Sequence, residues 1–185
     1  MKVIGITGKA ASGKSYILNY LKTFDNICVL ELDKIANEYM KQEETLNFIH
    51  NLMKQYGKND YSREVYRELF FNNVDFKKEI EDKVHPYVKE YCKNIIDNSD
   101  KDIIFIESAI ILKVNYDDII DEYWEVYCEE TTRLNRLKNR NLSKDIIDKL
   151  MKIQEFTDVE KQKISCRIKS EDSLDDIKRI ISNIN

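Results

Sequence analysis

One stretch near the amino terminus carries chemistry by residue type and spacing: Gly8, four residues, then Gly13-Lys14-Ser15. A polyphosphate is held by backbone N–H groups, and the chain must turn sharply around it with no side chains in the way. Gly8 and Gly13 supply that turn, because glycine reaches positive φ at little steric cost. A helix opening at Gly13 to Lys14 adds its amino-terminal partial positive charge and its unpaired donors. Lys14 then reaches the β- and γ-phosphates, and the Ser15 hydroxyl is placed to ligate Mg²⁺. The pattern predicts an ATP-binding stretch of Gly8, Lys9, Ala10, Ala11, Ser12, Gly13, Lys14, Ser15 and Tyr16, with Mg²⁺ beside it. A flexible turn with a solvated lysine would not need an apolar strand before it and a helical pattern after it.

Phosphoryl transfer depends on positioning and charge stabilisation more than on covalent chemistry, so three further groups are sought. The first is a carboxylate for the acceptor hydroxyl, and Asp33 is the candidate. Its alternative role is a helix N-cap for the segment beginning at Lys34, and the two roles are compatible. The second is an acid for the metal shell, acting through water, for which Glu107 stands in the right place; a strand-end residue capping a turn is the alternative. The third is a set of cations that close over the transferring group. Arg136 and Arg140 are four apart, on one helical face, just before Asn141-Leu142-Ser143. A solvated charged face would explain that pair equally simply.

The elements that must position these groups are legible in the hydrophobic pattern. Val3 to Ile6 reads as a buried strand, Tyr16 to Leu21 as a helix, and Ile27 to Leu32 as a second parallel strand ending at Asp33. Carboxyl ends of strands are where open α/β sheets bind ligands. Residues 34 to 55 predict two helices. Gly57 to Tyr61 breaks the pattern, and Ser62 is the expected N-cap of a helix reaching Phe70 or Phe71. A further helix is expected from Val74 to His85, resuming past Pro86 to Ile96. Ile103 to Ile106 and Tyr123 to Tyr127 read as strands, Thr131 to Arg140 and Ser143 to Phe156 as helices, Ile164 to Ile168 as an edge strand, and Leu174 to Ile184 as a closing helix. Strands alternating with helices imply an α/β fold, a parallel sheet flanked by helices. The expected layout is one P-loop domain: a core of residues 1–35, 100–135 and 160–185, a helical substrate-binding insertion at about 36–95, and a lid at about 136–158.

The chain has 185 residues, 30 Lys plus Arg against 34 Asp plus Glu, and a formal net charge of −4. That balance offers nothing to nucleic acid or to a membrane surface. No apolar run approaches the roughly 20 residues of a membrane span, and the amino terminus lacks the pattern of a signal peptide. Cys28, Cys92, Cys128 and Cys166 are widely spaced, without metal-ligand spacing, and read as reduced thiols of a cytoplasmic protein. A GTPase switch is disfavoured, since no N-K-x-D segment is present.

Taken in order, the motifs resemble those of dephospho-coenzyme A kinases over nearly the whole length. Ile4 to Ser15 is similar to that family's I-G-L-T-G-G-I-G-S-G-K-S opening. Leu32-Asp33-Lys34-Ile35-Ala36 resembles its D-A-D-x-I-A-R segment, which implies that Asp33 is the base for the acceptor hydroxyl. Arg63 looks like the arginine of D-R-x-x-L, and His85-Pro86 like its H-P. Arg136-Leu137-x-x-Arg140 is similar to the R-L-x-x-R of the lid, with Gln154 where a glutamine follows. The resemblance implies a parallel-sheet core, a helical domain for the coenzyme A moiety, and dephospho-CoA as small-molecule acceptor, placed by Asp33, Arg63 and His85. A monomer or weak homo-oligomer with no nucleic-acid or membrane partner is expected. Departures are visible. Lys9 and Ala11 replace glycines, Glu31 and Asn37 replace an aspartate and an arginine, and Arg133 stands where a glutamine is usual. Residues 107–113 and 164–170 depart from the usual pattern. Two other readings share the loop: a nucleoside or nucleotide kinase, and a nucleotide-binding regulatory module without rapid turnover.

Overall fold

The computed structural model describes residues 1–140, 144–153, 156–172 and 174–184. Two compact units are formed, one by Met1–Glu31 with Ile96–Asn185 and one by Leu32–Ile95. In the first, the apolar runs build β1 (Lys2–Thr7), β2 (Ile27–Glu31), β3 (Ile103–Glu107), β4 (Glu122–Tyr127) and β5 (Ile164–Lys169). They pair in parallel in the order β2-β3-β1-β4-β5, with β5 on the edge. The central strands are apolar on both faces because helices cover both; every residue of β3 is buried. The chain leaves β1 toward β2 and leaves β4 toward β5. The connections thus diverge between neighbouring strands, and the carboxyl ends of β1 and β4 frame the crevice where such sheets take ligands.

Helix α1 (Lys14–Leu21) buries Ile17, Leu18 and Leu21 against Ile4, Ile6, Trp124, Val126 and Ile168. Each such aliphatic side chain contributes about 1.5–3 kcal/mol on burial, and this packing fixes the direction in which the loop before α1 must leave β1.

The second unit is helical: α2 (Leu32–Met40), α3 (Glu43–Gln55), α4 (Arg63–Asn72) and most of α5 (Val74–Asn98). Ser62 caps α4 as expected, its hydroxyl accepting from the Val65 N–H. Two expectations are corrected. Strand β2 stops at Glu31, and α2 starts at Leu32, so Asp33 lies inside the first helical turn and is not an N-cap. There its carboxylate complements the positive end of the helix. Helix α5 does not break at Pro86 but runs through it. A proline in a helix interior costs about 3 kcal/mol. The stripe of Phe76, Ile80, Val84, Val88 and Cys92 is buried along one face of α5, and at about 1.5–3 kcal/mol per large side chain it outweighs that cost.

Back in the first unit, α6 (Glu130–Lys138) and α7 (Lys144–Ile153) replace the expected helices over 131–140 and 143–156; Ser143 and Gln154 lie outside the described residues. A helix the periodicity did not signal, α8 (Asp158–Lys163), is set by a capping box. The Thr157 hydroxyl accepts from the Glu160 N–H at 3.2 Å, and the Glu160 carboxylate accepts from the Thr157 N–H at 2.7 Å. That backbone donor holds the Glu160 carboxyl below the usual carboxylate range. Helix α9 (Leu174–Ser182) returns Ile177 and Ile181 to the core. Among the described residues no helix is long and apolar enough to cross a membrane.

Candidate active site

The loop from Gly8 to Ser15 follows β1 directly and ends in α1. Two of its glycines are dictated by space. A Cβ on Gly8 would come within 2.3 Å of the Val126 carbonyl oxygen, and one on Gly13 within 2.5 Å of Ser170 Cβ. Gly13 also sits at φ 101°, in the left-handed region, and forms the amino-terminal boundary of α1 with no side-chain cap. With no acidic residue in the first turn of α1, and with the Tyr16 N–H given to the Gly13 carbonyl, the amides of Lys14 and Ser15 are left to an anion. Gly13→Ala is expected to cost at least about 2 kcal/mol, combining backbone strain with the Ser170 clash. Thermal unfolding measures this, and an unchanged melting temperature would contradict the loop geometry.

Lys14 Nζ donates to the Gly8 carbonyl at 2.9 Å and stands 3.5 Å from the Glu107 carboxylate. Glu107 ends β3 and is buried. Its neighbours in register are Ile6 of β1 and Glu31 of β2, so it lies at the same carboxyl edge of the sheet as the loop. Ser12 is 2% exposed, and among the described residues its hydroxyl has no hydrogen-bond partner. An orphaned buried hydroxyl beside a glycine cradle marks a place built to meet a polar ligand.

Helix α6 brings its cations to the back of the loop. Arg136 Nη1 donates to the Ala11 carbonyl at 3.3 Å and to Ser170 Oγ at 3.0 Å. Arg140 lies past the end of α6, which stops at Lys138 with Asn139 as its C-cap, and not within a helix reaching residue 140. Both arginines line one cleft of about 410 Å³ with residues 9–15 and Asn139. Burial pushes the Cys128 thiol up, against the pull of Arg136, so this cysteine beside the Ala11 carbonyl is a poor nucleophile.

The sequence-derived residues thus fall into two sets. Lys9 to Ser15, Arg136 and Arg140 line one cleft of the sheet unit, and Glu107 is tied to it through Lys14. Tyr16 follows, exposed, on the first turn of α1. Asp33, Arg63 and His85 are carried by three different helices of the other unit. Asp33 and Arg63 are exposed, while His85 is half-buried one residue before Pro86.

Sequence reasoning missed three participants. Arg133, whose departure from the family pattern had no assigned role, is buried and donates from Nε to the Ala10 carbonyl at 3.1 Å. Its signal was available: it shares the buried stripe of α6 with Leu137, four residues on, where an arginine needs a partner. Ser170 contacts Arg136 from the turn after β5 and carries no sequence signal. Glu125, buried on β4, accepts from Arg167 Nε at 2.8 Å, and that guanidinium lies 4.4 Å from the Tyr127 ring centroid.

The donor set fits a nucleotide polyphosphate with a hard divalent cation: glycine-shaped backbone, the Lys14 ammonium, a serine hydroxyl on the first turn of α1 and an oxygen acid at the strand edge. Comparisons with known proteins agree with this chemistry. A family model described as dephospho-CoA kinase matches residues 2–176. A dephospho-CoA kinase from Nostoc sp. is 27% identical over 146 residues, covering 76% of this chain and 74% of the relative. Among solved structures, a Thermus thermophilus protein superposes with a TM-score of 0.81 at 21% identity, covering 100% of this chain and 98% of that one. A dephospho-CoA kinase from Campylobacter jejuni gives 0.65 at 21%, with the same coverage. At these identities the two structures speak for the fold.

Proposed function

The chain belongs to the dephospho-CoA kinase family, and from that premise we propose that it transfers the γ-phosphoryl group of ATP to the ribose 3′-hydroxyl of dephospho-CoA, giving coenzyme A and ADP. The observation that carries this reading is the cleft in which Lys14, Arg136 and Arg140 converge on a loop with an uncapped helix start. In it, the loop amides and the Lys14 ammonium bind the β- and γ-phosphates; among the described residues a phosphate competes there with one carbonyl and a long ion pair for Lys14. Ser15, and Glu107 through water, would hold a Mg²⁺ ion, which would supply further charge neutralisation on the phosphates. Asp33 takes the hydroxyl proton onto its carboxylate as the new O–P bond forms and the bond to the ADP oxygen breaks. Arg136 and Arg140 neutralise charge on the phosphoryl oxygens. Arg63 and His85 place the acceptor.

In the same proposal residues 1–35, 100–135 and 160–185 are the nucleotide core, 36–95 the acceptor-binding insertion and 136–158 the lid. The protein works on a small-molecule acceptor as a monomer or weak homo-oligomer in the cytoplasm. The test is ATP consumption by purified protein with Mg²⁺ and a panel of dephospho-CoA, nucleosides and nucleoside monophosphates. Turnover with dephospho-CoA alone is expected. Turnover with a nucleoside or a nucleotide would reassign residues 36–95 to another pocket, and silence across the panel would favour the regulatory module.

A further inference from the structure

Arg133 is 4% exposed and lies one turn before the fully buried Leu137 on α6. Its fork is divided between two elements. Nε donates to the Ala10 carbonyl of the loop at 3.1 Å, and Nη2 donates to the Leu150 carbonyl of α7 at 2.6 Å. A buried guanidinium stays charged, so this cation is held by carbonyl dipoles. Leu150 belongs to the last turn of α7, where carbonyls lack an intrahelical donor and carry the negative end of the helix dipole. Arg133 is thus a cap for α7 supplied from α6.

A second contact joins the same three elements. The methyl of Ala11, at φ 64° in the left-handed region, packs with Leu137 of α6 and Ile147 of α7, and Ala10, Leu134, Leu150 and Met151 flank that cluster. The outer turn of the loop is therefore packed on α7 as well as tied to it. In a trans peptide the N–H opposes the C=O, so drawing the Ala10 carbonyl to Arg133 aims the Ala11 N–H away from it.

We propose that Arg133 is a positioning residue that couples α7 to the phosphate loop, so that seating a nucleotide in the loop and ordering α7 favour each other. The coupling rests on the loop being the nucleotide site. It requires donors on separate nitrogens of one rigid fork, because a lysine offers a single rotating ammonium and a glutamine a single NH₂ nitrogen, and neither spans the two carbonyls that Nε and Nη2 reach.

The experiment is hydrogen exchange on the full chain, with and without a saturating non-hydrolysable ATP analogue and Mg²⁺, for the wild type, Arg133→Gln and Arg133→Lys. In the wild type the nucleotide slows exchange in residues 8–15 and in α7. In Arg133→Gln the loop is still slowed at saturation, the α7 response is lost, and the nucleotide Kd rises roughly 5- to 50-fold. Arg133→Lys loses the α7 response too, which keeps the test alive should the glutamine variant fail to fold. A purely structural arginine would speed α7 exchange equally with and without nucleotide and leave the response intact. That result, or full rescue by lysine, overturns the coupling. Loop protection in the wild type without any α7 response overturns it as well. Absence of nucleotide protection in the wild-type loop would instead overturn the nucleotide reading, and the coupling with it.

Discussion

Lys14→Ala lowers turnover by roughly 10²–10³-fold or more, the scale seen when a charge-stabilising donor is removed from a transition state. The side chain's described partners are the Gly8 carbonyl and the Glu107 carboxylate, so in the proposed mechanism the variant removes the ammonium that binds the phosphates. It also removes the ion pair of the buried Glu107, so some stability is lost with it. The core under α1, built from Ile17, Leu18 and Leu21, is untouched, so the protein still folds. Initial rates at saturating ATP, read beside a thermal melt, separate the two effects. Turnover within a few-fold of wild type in a folded variant would contradict the phosphate assignment.

Asp33→Asn leaves nucleotide binding intact and lowers turnover by about 10²–10⁴-fold, the range for loss of a general base. Asp33 is exposed on the first turn of α2, and asparagine keeps its shape there. The charge at the helix start is what is lost, so stability should fall by no more than about 0.3–1 kcal/mol. Equilibrium binding of ATP and steady-state rates with dephospho-CoA give the two halves of the result. An unchanged rate would remove Asp33 from the chemistry, and a matching loss of ATP affinity would move it to the nucleotide site.

These expectations rest on features that differ in how openly the chain displays them. The loop was legible because its requirements are local: Gly8 and Gly13 are forced by contacts with Val126 and Ser170, but their spacing before Lys14 already implied a backbone that must turn without side chains. The strands were legible because a sheet covered on both faces demands continuous apolar runs, as in Ile103–Glu107. Boundaries were less so. Whether Leu32 ends a strand or begins a helix depends on the packing of α2, which no window of sequence contains. Pro86 misled in a similar way, since its local cost was visible and the buried stripe of α5 that outweighs it is a tertiary fact. The Thr157–Glu160 capping box was in plain sight, yet the helix it starts spans only Asp158–Lys163, too short for periodicity to register. Arg133 was seen only as a departure from a pattern. Its meaning needed the carbonyls of Ala10 and Leu150, which lie far from each other in the chain and meet only in the fold.

The measurement that bears most directly on the central claim is the position of the transferred phosphate. Purified protein is incubated with ATP, Mg²⁺ and dephospho-CoA, and the product is resolved by phosphorus NMR and mass spectrometry. The account predicts one new phosphomonoester on the ribose 3′-oxygen, formed together with an equal amount of ADP. A phosphate on any other oxygen, or ADP released with dephospho-CoA unchanged, would contradict it.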